Sequence, residues 1–281
     1  MNNATGPKPH LAADLAERVA LFEPIKMISR QITVPHFRAG GAVDNKLAGS
    51  GDFDPVTEAD RACETAIRAL IEKHFPDDGI FGEEHGNVRL DAPFIWVIDP
   101  IDGTRAFVSG VPLWGTLVGI TYQGRPAAGL GYQPYIDEAF SSNGQASVWA
   151  KAEQTKSLRT RSSNTLTNAT LFTTTPALFS TQERPAYDAL ENAVRSVRYG
   201  TDWYGYALLA AGTVDVVVES GLSAYDICAL IPIIEAAGGC VMDWHGNALT
   251  NITNAFNGQV VALGDASLAD DVLGYLQPAA R

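Results

Sequence analysis

Two aspartates three residues apart, Asp99 and Asp102, stand in the stretch Trp96-Val97-Ile98-Asp99-Pro100-Ile101-Asp102-Gly103-Thr104. The stretch opens as a short apolar run, Phe94 to Ile98, rich in β-branched residues and too short for a helix. Pro100, beside the first aspartate, is expected to stop that strand and stiffen a turn. Gly103 lets the backbone approach a ligand closely. Thr104 stands where a short helix, Thr104 to Ser109, is expected to begin. Two carboxylates, a hydroxyl and free backbone N–H groups therefore meet at one strand end. Hard cations such as Mg²⁺ take oxygen ligands, usually few carboxylates plus a substrate phosphate, and helix N-termini bind phosphate. The chemistry on offer is a metal-assisted phosphate site. The same residues also read as a strand, an Asx-type turn and a capped helix.

Other acids could join this pair. Thr57 and Asp60 have the spacing of a capping box, so Asp60 is either a cap partner or a carboxylate near the metal site. Glu83 and Glu84 follow Gly82 on a loop after the apolar run from Ile80. They lie between two strands that lead to the aspartate turn, so one of them can point at it. Ser223-x-x-Asp226 is again a capping pair at the start of a helix.

The elements that must position these residues alternate. A helical face runs through Leu11, Leu15, Val19 and Phe22, and Pro24 should kink that helix or divide it. A second helix follows Thr57 to about His74. Strands are expected at Ile80–Gly82, Phe94–Ile98, Pro112–Ile120, Arg125–Tyr132, Glu138–Ser141 and Ala146–Ala150. Ala152 to Asn168 is polar without a periodic core and reads as a crossover between domains. The second half alternates strand and helix, with strands at Ala169–Thr174, Val197–Tyr199, Val214–Val218, Cys240–Asp243 and Val260–Gly264. Helices are expected at Arg184–Ser196, Tyr204–Ala211, Ser223–Ala237 (bent at Pro232) and Leu268–Leu276. Alternation of this kind implies layered α/β architecture. Lys46 to Gly51 is a polar loop that could be mobile.

With 281 residues the chain can bury a large core in one or two domains. Its net charge of −12, without a basic stripe, argues against nucleic acid as the main ligand. No run is long enough for a membrane span, and the first ten residues lack an apolar signal segment. Three cysteines, Cys63, Cys228 and Cys240, are not in a metal spacing. They fit a reducing compartment, and a cytoplasmic location is expected.

Gly82-Glu83-Glu84, Asp99-Pro-Ile-Asp102-Gly-Thr104, and Tyr225-Asp226 followed by an apolar helix and Gly238-Gly239 resemble the inositol monophosphatase superfamily. The resemblance runs from about Lys46 to the C-terminus. It implies a five-layer α-β-α-β-α sugar-phosphatase fold. An N-terminal α+β domain, residues 1–160, would carry most metal ligands. A C-terminal α/β domain, residues 161–281, would carry Asp226 and the contacts to the substrate alcohol. It also implies Mg²⁺-dependent hydrolysis of small phosphate monoesters with two or three metals per site, Mn²⁺ being a possible substitute, together with lithium sensitivity and a homodimer. By matched position, Glu83, Asp99, the Ile101 carbonyl, Asp102 and Asp226 would be metal ligands. Thr104 and Asp60 would orient the attacking water, and the Gly103 and Thr104 N–H groups would hold phosphate oxygens. Carboxylates suit Mg²⁺ or Mn²⁺, and no His/Cys cluster suggests zinc.

Two segments resemble the histidinol-phosphate phosphatase branch. They are Asp102-Gly-Thr-Arg-Ala-Phe-Val-Ser-Gly-Val-Pro-Leu-Trp-Gly-Thr-Leu, and Gly200-Thr-Asp202-Trp-Tyr-Gly-Tyr206 continuing to Glu219. Plain inositol monophosphatases usually carry a small apolar residue where Asp202 stands. Asp202 and Glu219 would face the alcohol half of the substrate, where histidinol phosphate carries an ammonium. Asp202 can also be read as the N-cap of the helix that follows. Hydrolysis of inositol monophosphate or a related sugar phosphate is the alternative activity. A regulatory interaction protein on the same fold is the alternative of another class.

Overall fold

Prolines divide the first elements. Helices α1 (Pro9–Val19) and α2 (Phe22–His36) are separate, because the Pro24 ring collides with the carbonyl four residues back, that of Ala20. This is the division expected at Pro24. The structure, a computed structural model, describes residues 9–40, 43–45, 55–163 and 165–281. The loop Lys46 to Gly51 lies outside the described residues. Short strands β1 (Val43–Asn45) and β2 (Pro55–Thr57) pair antiparallel and lead into α3 (Glu58–His74).

Next come β3 (Gly79–Gly82) and β4 (Phe94–Asp102), then the one-turn helix α4 (Thr104–Val108). Strands β5 (Gly115–Tyr122), β6 (Arg125–Gln133), β7 (Glu138–Ser142), β8 (Ser147–Lys151) and β9 (Gln154–Ser157) follow as a meander. They form a seven-stranded sheet in the order β3-β4-β5-β6-β7-β8-β9, in which only the β3–β4 pair is parallel. The expected crossover at Ala152–Asn168 is therefore partly a strand. Residues 154–157 are all exposed and polar, so no burial pattern marked them. Backbone pairing to β8 alone makes β9 a strand.

The second half runs β10 (Thr170–Thr173), α5 (Arg184–Ala193), β11 (Ser196–Tyr199), α6 (Asp202–Ala210), β12 (Val216–Glu219), α7 (Ala224–Ile227), α8 (Leu230–Ala236), β13 (Cys240–Met242), β14 (Val260–Leu263) and α9 (Ala269–Leu276). Its sheet has the order β11-β10-β12-β14-β13. The helix expected from Ser223 to Ala237 is two helices. Pro232 cannot donate to the Cys228 carbonyl and crowds it, so the chain breaks at Cys228-Ala229 instead of bending.

Period-two alternation sorts each strand between layers. In β4, Phe94, Trp96 and Ile98 pack with α1, α2 and α3, while Ile95 and Val97 face the middle layer. In β12, Val217 faces that same middle layer, while Val216 and Val218 pack against α5 and α9. Helices α6 and α8 fill the space between the sheets. The five layers α-β-α-β-α follow, and one core joins both halves of the chain.

Pro100 does not stop its strand as the sequence suggested. β4 continues to Asp102. Asp99 pairs with Leu117 and Asp102 with Gly115, so three steps on β4 oppose two on β5. This is a β-bulge, one of the few places in a sheet that tolerates a proline. The Pro100 carbonyl accepts the Thr116 hydroxyl at 2.7 Å, and Thr116 shares a 2.6 Å bond with Ser29 of α2.

The middle layer touches the first sheet through glycines. A Cβ at Gly115 would lie 2.4 Å from the Trp203 indole. A Cβ at Gly129 would lie 1.9 Å from the Ala229 carbonyl oxygen, at the break before α8. The buried Trp203 indole is held by α6, and the Ala229 carbonyl is backbone between α7 and α8, so neither gives way without moving a helix. Gly129→Ala should therefore lower stability by roughly 3 kcal/mol, near the upper end for over-packing, and drop the thermal midpoint by about 6 °C or more. Gly86→Ala, where nothing lies within 4 Å, should leave the midpoint unchanged in the same melts.

Candidate active site

The bulge decides where the two aspartates point. On a regular strand, residues three apart face opposite sides of the sheet. One extra residue between Asp99 and Asp102 turns both to the same side. Asp226, in the first turn of α7, reaches the same point. One carboxylate oxygen from each of Asp99, Asp102 and Asp226 lies within 4.8 Å of the others.

Each acid is held by backbone donors. Asp99 Oδ1 accepts the Ile101 N–H at 3.0 Å. Asp102 Oδ2 accepts the Trp203 N–H at 2.9 Å, across 101 residues of sequence. Asp226 Oδ2 accepts the Ser223 N–H at 2.6 Å, so the capping pair is real. Glu83 follows β3, and its N–H donates to Ile98 of β4 at 3.2 Å.

Sequence reasoning missed the residue that secures the Glu83 loop. Glu64 of α3 is fully buried and accepts the Glu84 N–H at 2.7 Å, the His85 N–H at 3.2 Å and the Arg68 guanidinium at 2.7 Å. Its signal was a charged residue on the buried stripe Ala59, Asp60, Cys63, Ile67, Ile71, where a lone carboxylate needs partners.

The electrostatics are those of an acid cluster. Burial pushes Asp99 well above the ordinary 3.8, and Glu83, Asp102 and Asp226 push it further. Asp102 moves the same way, by burial and then by Asp202 and Asp226, against the Trp203 N–H. Burial also raises Asp60 to about 7, although both Thr57 donors oppose it. Asp60 Oδ2 takes the Thr57 N–H at 2.9 Å and its hydroxyl at 2.5 Å. Oδ1 is buried and has no hydrogen-bond partner among the described residues. The capping box therefore uses one oxygen of Asp60 and leaves the other for a ligand.

Thr104 opens α4, and its hydroxyl donates to the Ile101 carbonyl at 3.0 Å. Gly103 precedes it at φ 78°, a left-handed conformation. A Cβ there would lie 3.2 Å from the Asp202 carboxylate. A cavity of about 240 Å³ is lined by Asp102, Gly103, Thr104 and Asp226 on one side and by Asp202, Tyr206 and Glu219 on the other.

Asp202 is not the N-cap of α6. Thr201 holds that position, and Asp202 is the first helical residue, at φ 44°. A non-glycine residue there is strained. Asp102 satisfies the N–H of Trp203 instead. Burial raises Asp202 above the ordinary 3.8, while the Thr174 side chain and the charge of Arg105 work against the shift. Glu219 is 2% exposed. It accepts the Thr174 N–H at 2.5 Å and the Thr173 hydroxyl at 3.2 Å, and burial still carries it to about 8. The Tyr206 hydroxyl is buried without a partner among the described residues.

The donor set fits a hard divalent cation. It is all oxygen, with Asp99 buried and Asp102 and Asp226 half-buried, and repels itself, which a cation relieves.

The sequence profile of the inositol monophosphatase family matches residues 22–274. The chain belongs to that family. It is 40% identical, over 82% of its length and 68% of the relative's, to the chloroplastic bifunctional phosphatase IMPL2 of Arabidopsis thaliana. It is 32% identical, over 91% of its length and 96% of the relative's, to a histidinol-phosphatase of Chlorobaculum parvum. A solved inositol monophosphatase from Zymomonas mobilis superposes with a TM-score of 0.82 at 37% identity, covering 93% of this chain and 98% of the other. The protein is a metal-dependent phosphatase, a phosphoric monoester hydrolase with the inositol monophosphatase fold. Among the described residues no helix is long and apolar enough to cross a membrane.

The phosphatase should report its cation through stability. A carboxyl held above its ordinary value favours the protonated folded state. The linked stabilisation is full below the unfolded value, 3.8, and is lost as pH rises through the folded value, about 7 for Asp60. A chelated sample should melt at a lower temperature at about pH 8 than at about pH 5, and Mg²⁺ should recover most of the difference at the higher pH. The same chelation should abolish phosphate release. Calorimetry with and without EDTA checks both.

Proposed function

We propose that this phosphatase hydrolyses histidinol phosphate to histidinol and phosphate, using a water activated at an Mg²⁺ centre. The observation that carries the substrate is Asp202. A carboxylate held in a strained conformation lines the cavity beside the acid cluster. An acidic wall there suits an alcohol that carries an ammonium. A hydrogen bond to a charged group contributes roughly 1.5–3 kcal/mol. The relative named as a histidinol-phosphatase, aligned along 91% of the chain, supports the same reading.

In this proposal Glu83, Asp99, the Ile101 carbonyl, Asp102 and Asp226 hold the cations. Cations held there would supply polarisation of the phosphoryl group, a lowered pKa for water and stabilisation of the leaving oxygen. The chain's own residues do the positioning. Thr104 donates its hydroxyl proton to Ile101, so its oxygen is left to accept from a water and aim that water at phosphorus. Asp60 Oδ1, buried and without a partner among the described residues, is the atom to receive the water's proton, and a value near 7 suits a base. The Gly103 and Thr104 N–H groups open α4, where intrahelical acceptors are lacking, and hold phosphate oxygens. Asp202 and Glu219 bind the alcohol, and the Tyr206 hydroxyl faces the same space. Lithium inhibition, a homodimer and a cytoplasmic location belong to the proposal on the family pattern.

Inositol monophosphate is the second reading. The 37% identity to the Zymomonas mobilis inositol monophosphatase favours it, and so does Glu219, whose raised value of about 8 weakens it as a partner for an ammonium.

Thr104→Ala should lower kcat by about a hundredfold or more while changing KM little, because orienting water matters mainly in the transition state. Near wild-type turnover would reduce Thr104 to a helix residue. Asp202→Asn keeps the size and removes the charge. It should raise KM for histidinol phosphate by about tenfold, equivalent to about 1.4 kcal/mol, and leave p-nitrophenyl phosphate hydrolysis and the melting temperature nearly unchanged. Equal losses on both substrates would make Asp202 structural. Better turnover of inositol monophosphate than of histidinol phosphate in a panel of esters would move the assignment to the second reading.

A further inference from the structure

Away from the acid cluster, a cavity of about 310 Å³ opens between the far edge of the first sheet and α6. Register places its walls. Phe140 of β7 pairs with Trp149 of β8, and Trp149 pairs with Lys156 of β9, so the three form a row on the face turned to α6. Glu138, two residues before Phe140, shares that face. Tyr204 and Leu208, one turn apart on α6, close the other side.

At the base of the slot Glu138 is 9% exposed. Its Oε1 accepts the Trp149 indole N–H at 2.6 Å, and its Oε2 accepts the Tyr204 hydroxyl. Both donors are neutral. No lysine, arginine or histidine nitrogen lies within 4.0 Å of this carboxyl among the described residues. Every other acid that is at least as buried and lies outside the catalytic cluster is answered differently. Asp78 has Arg18, Glu64 has Arg68, Asp215 has Arg161, and Glu183 has Arg281. A buried carboxylate without a counter-ion is costly, and Glu138 sits where aromatic faces could share a cation with it.

We propose that the slot between Trp149 and Tyr204 binds a small organic ammonium ion over Glu138. The ammonium supplies the missing counter-charge, and its carbon body covers Trp149, Phe140 and Leu208. Aromatic faces attract cations, Trp most strongly. The chain already makes half of this contact: the Lys156 ammonium lies 5.1 Å from the Trp149 ring centre, from a fully exposed strand. Lys156 therefore competes for Trp149 without reaching Glu138, and an incoming amine displaces it. Because Tyr204 lies two residues beyond Asp202, the occupant touches the helix that carries the alcohol-side acid of the active site.

Phenethylammonium titrated into the full-length, Mg²⁺-supplemented protein, followed by tryptophan fluorescence, tests the site. A saturable change is expected, with neutral 2-phenylethanol binding about tenfold more weakly or worse. Glu138→Gln should weaken the amine by about tenfold, Lys156→Ala should tighten it, and Asp202→Asn should leave it unchanged. If Glu138→Gln does not fold, the alcohol comparison and Lys156→Ala still decide. The proposal is overturned by an absence of saturable binding, by equal affinity for amine and alcohol, or by binding that disappears in Asp202→Asn and survives Glu138→Gln. The last result would put the amine in the catalytic cavity.

Discussion

The hydrogen bond from the Trp203 backbone N–H to Asp102 joins the strand of the acids to the helix of the alcohol-side residues. It exists only because the Trp203 indole can lie flat on the first sheet, where Gly115 and Gly131 leave no side chain in its way. The indole fixes the depth of α6, and its N–H then fixes the azimuth. Asp202, one residue earlier, is forced into a left-handed conformation against Gly103. Backbone strain at one residue is thus the local cost of holding a helix start against a buried carboxylate.

Like charge is the second constraint. Asp99, Asp102 and Asp226 are brought together by three different devices: a bulge, a helix start on the opposite half of the chain, and a capping box. Each device gives one carboxylate oxygen a backbone donor and brings an oxygen of that acid within 4.8 Å of the other two. The arrangement is poor as a folded-state interaction and good as a cage for a cation. Asp60 repeats the pattern, with Thr57 on one oxygen and no partner among the described residues on the other.

Much of this was legible in the chain. The Asp99–Thr104 spacing and the motifs around the acids at 83 and 226 pointed to the cluster, and the short β-branched apolar run Phe94–Ile98 placed the aspartates at a strand end. What could not be read was geometry that depends on a partner strand. Pro100 looked like a terminator because a proline in a strand usually is one; only the register against β5 makes it a bulge. β9 carries no apolar residue at all, so no periodicity could reveal it. The alternative reading of Asp202 as an N-cap rested on its residue type, but the cap for that turn comes from Asp102, 101 residues away. Glu64 was hidden for the opposite reason, lying in plain view on an apolar stripe that seemed explained by the core.

The placement of Asp226 and Trp203 late in the chain bears on how the protein is made. The first sheet, with Glu83, Asp99 and Asp102, leaves the ribosome before the residues that complete the cage. Domains tend to organise as they emerge, yet contacts this distant in sequence form late. A half-synthesised chain therefore carries crowded acids with no capping N–H on Asp102 and without Asp226. On the proposed ligand set, such a chain would have little hold on a cation until the last third of the protein has docked.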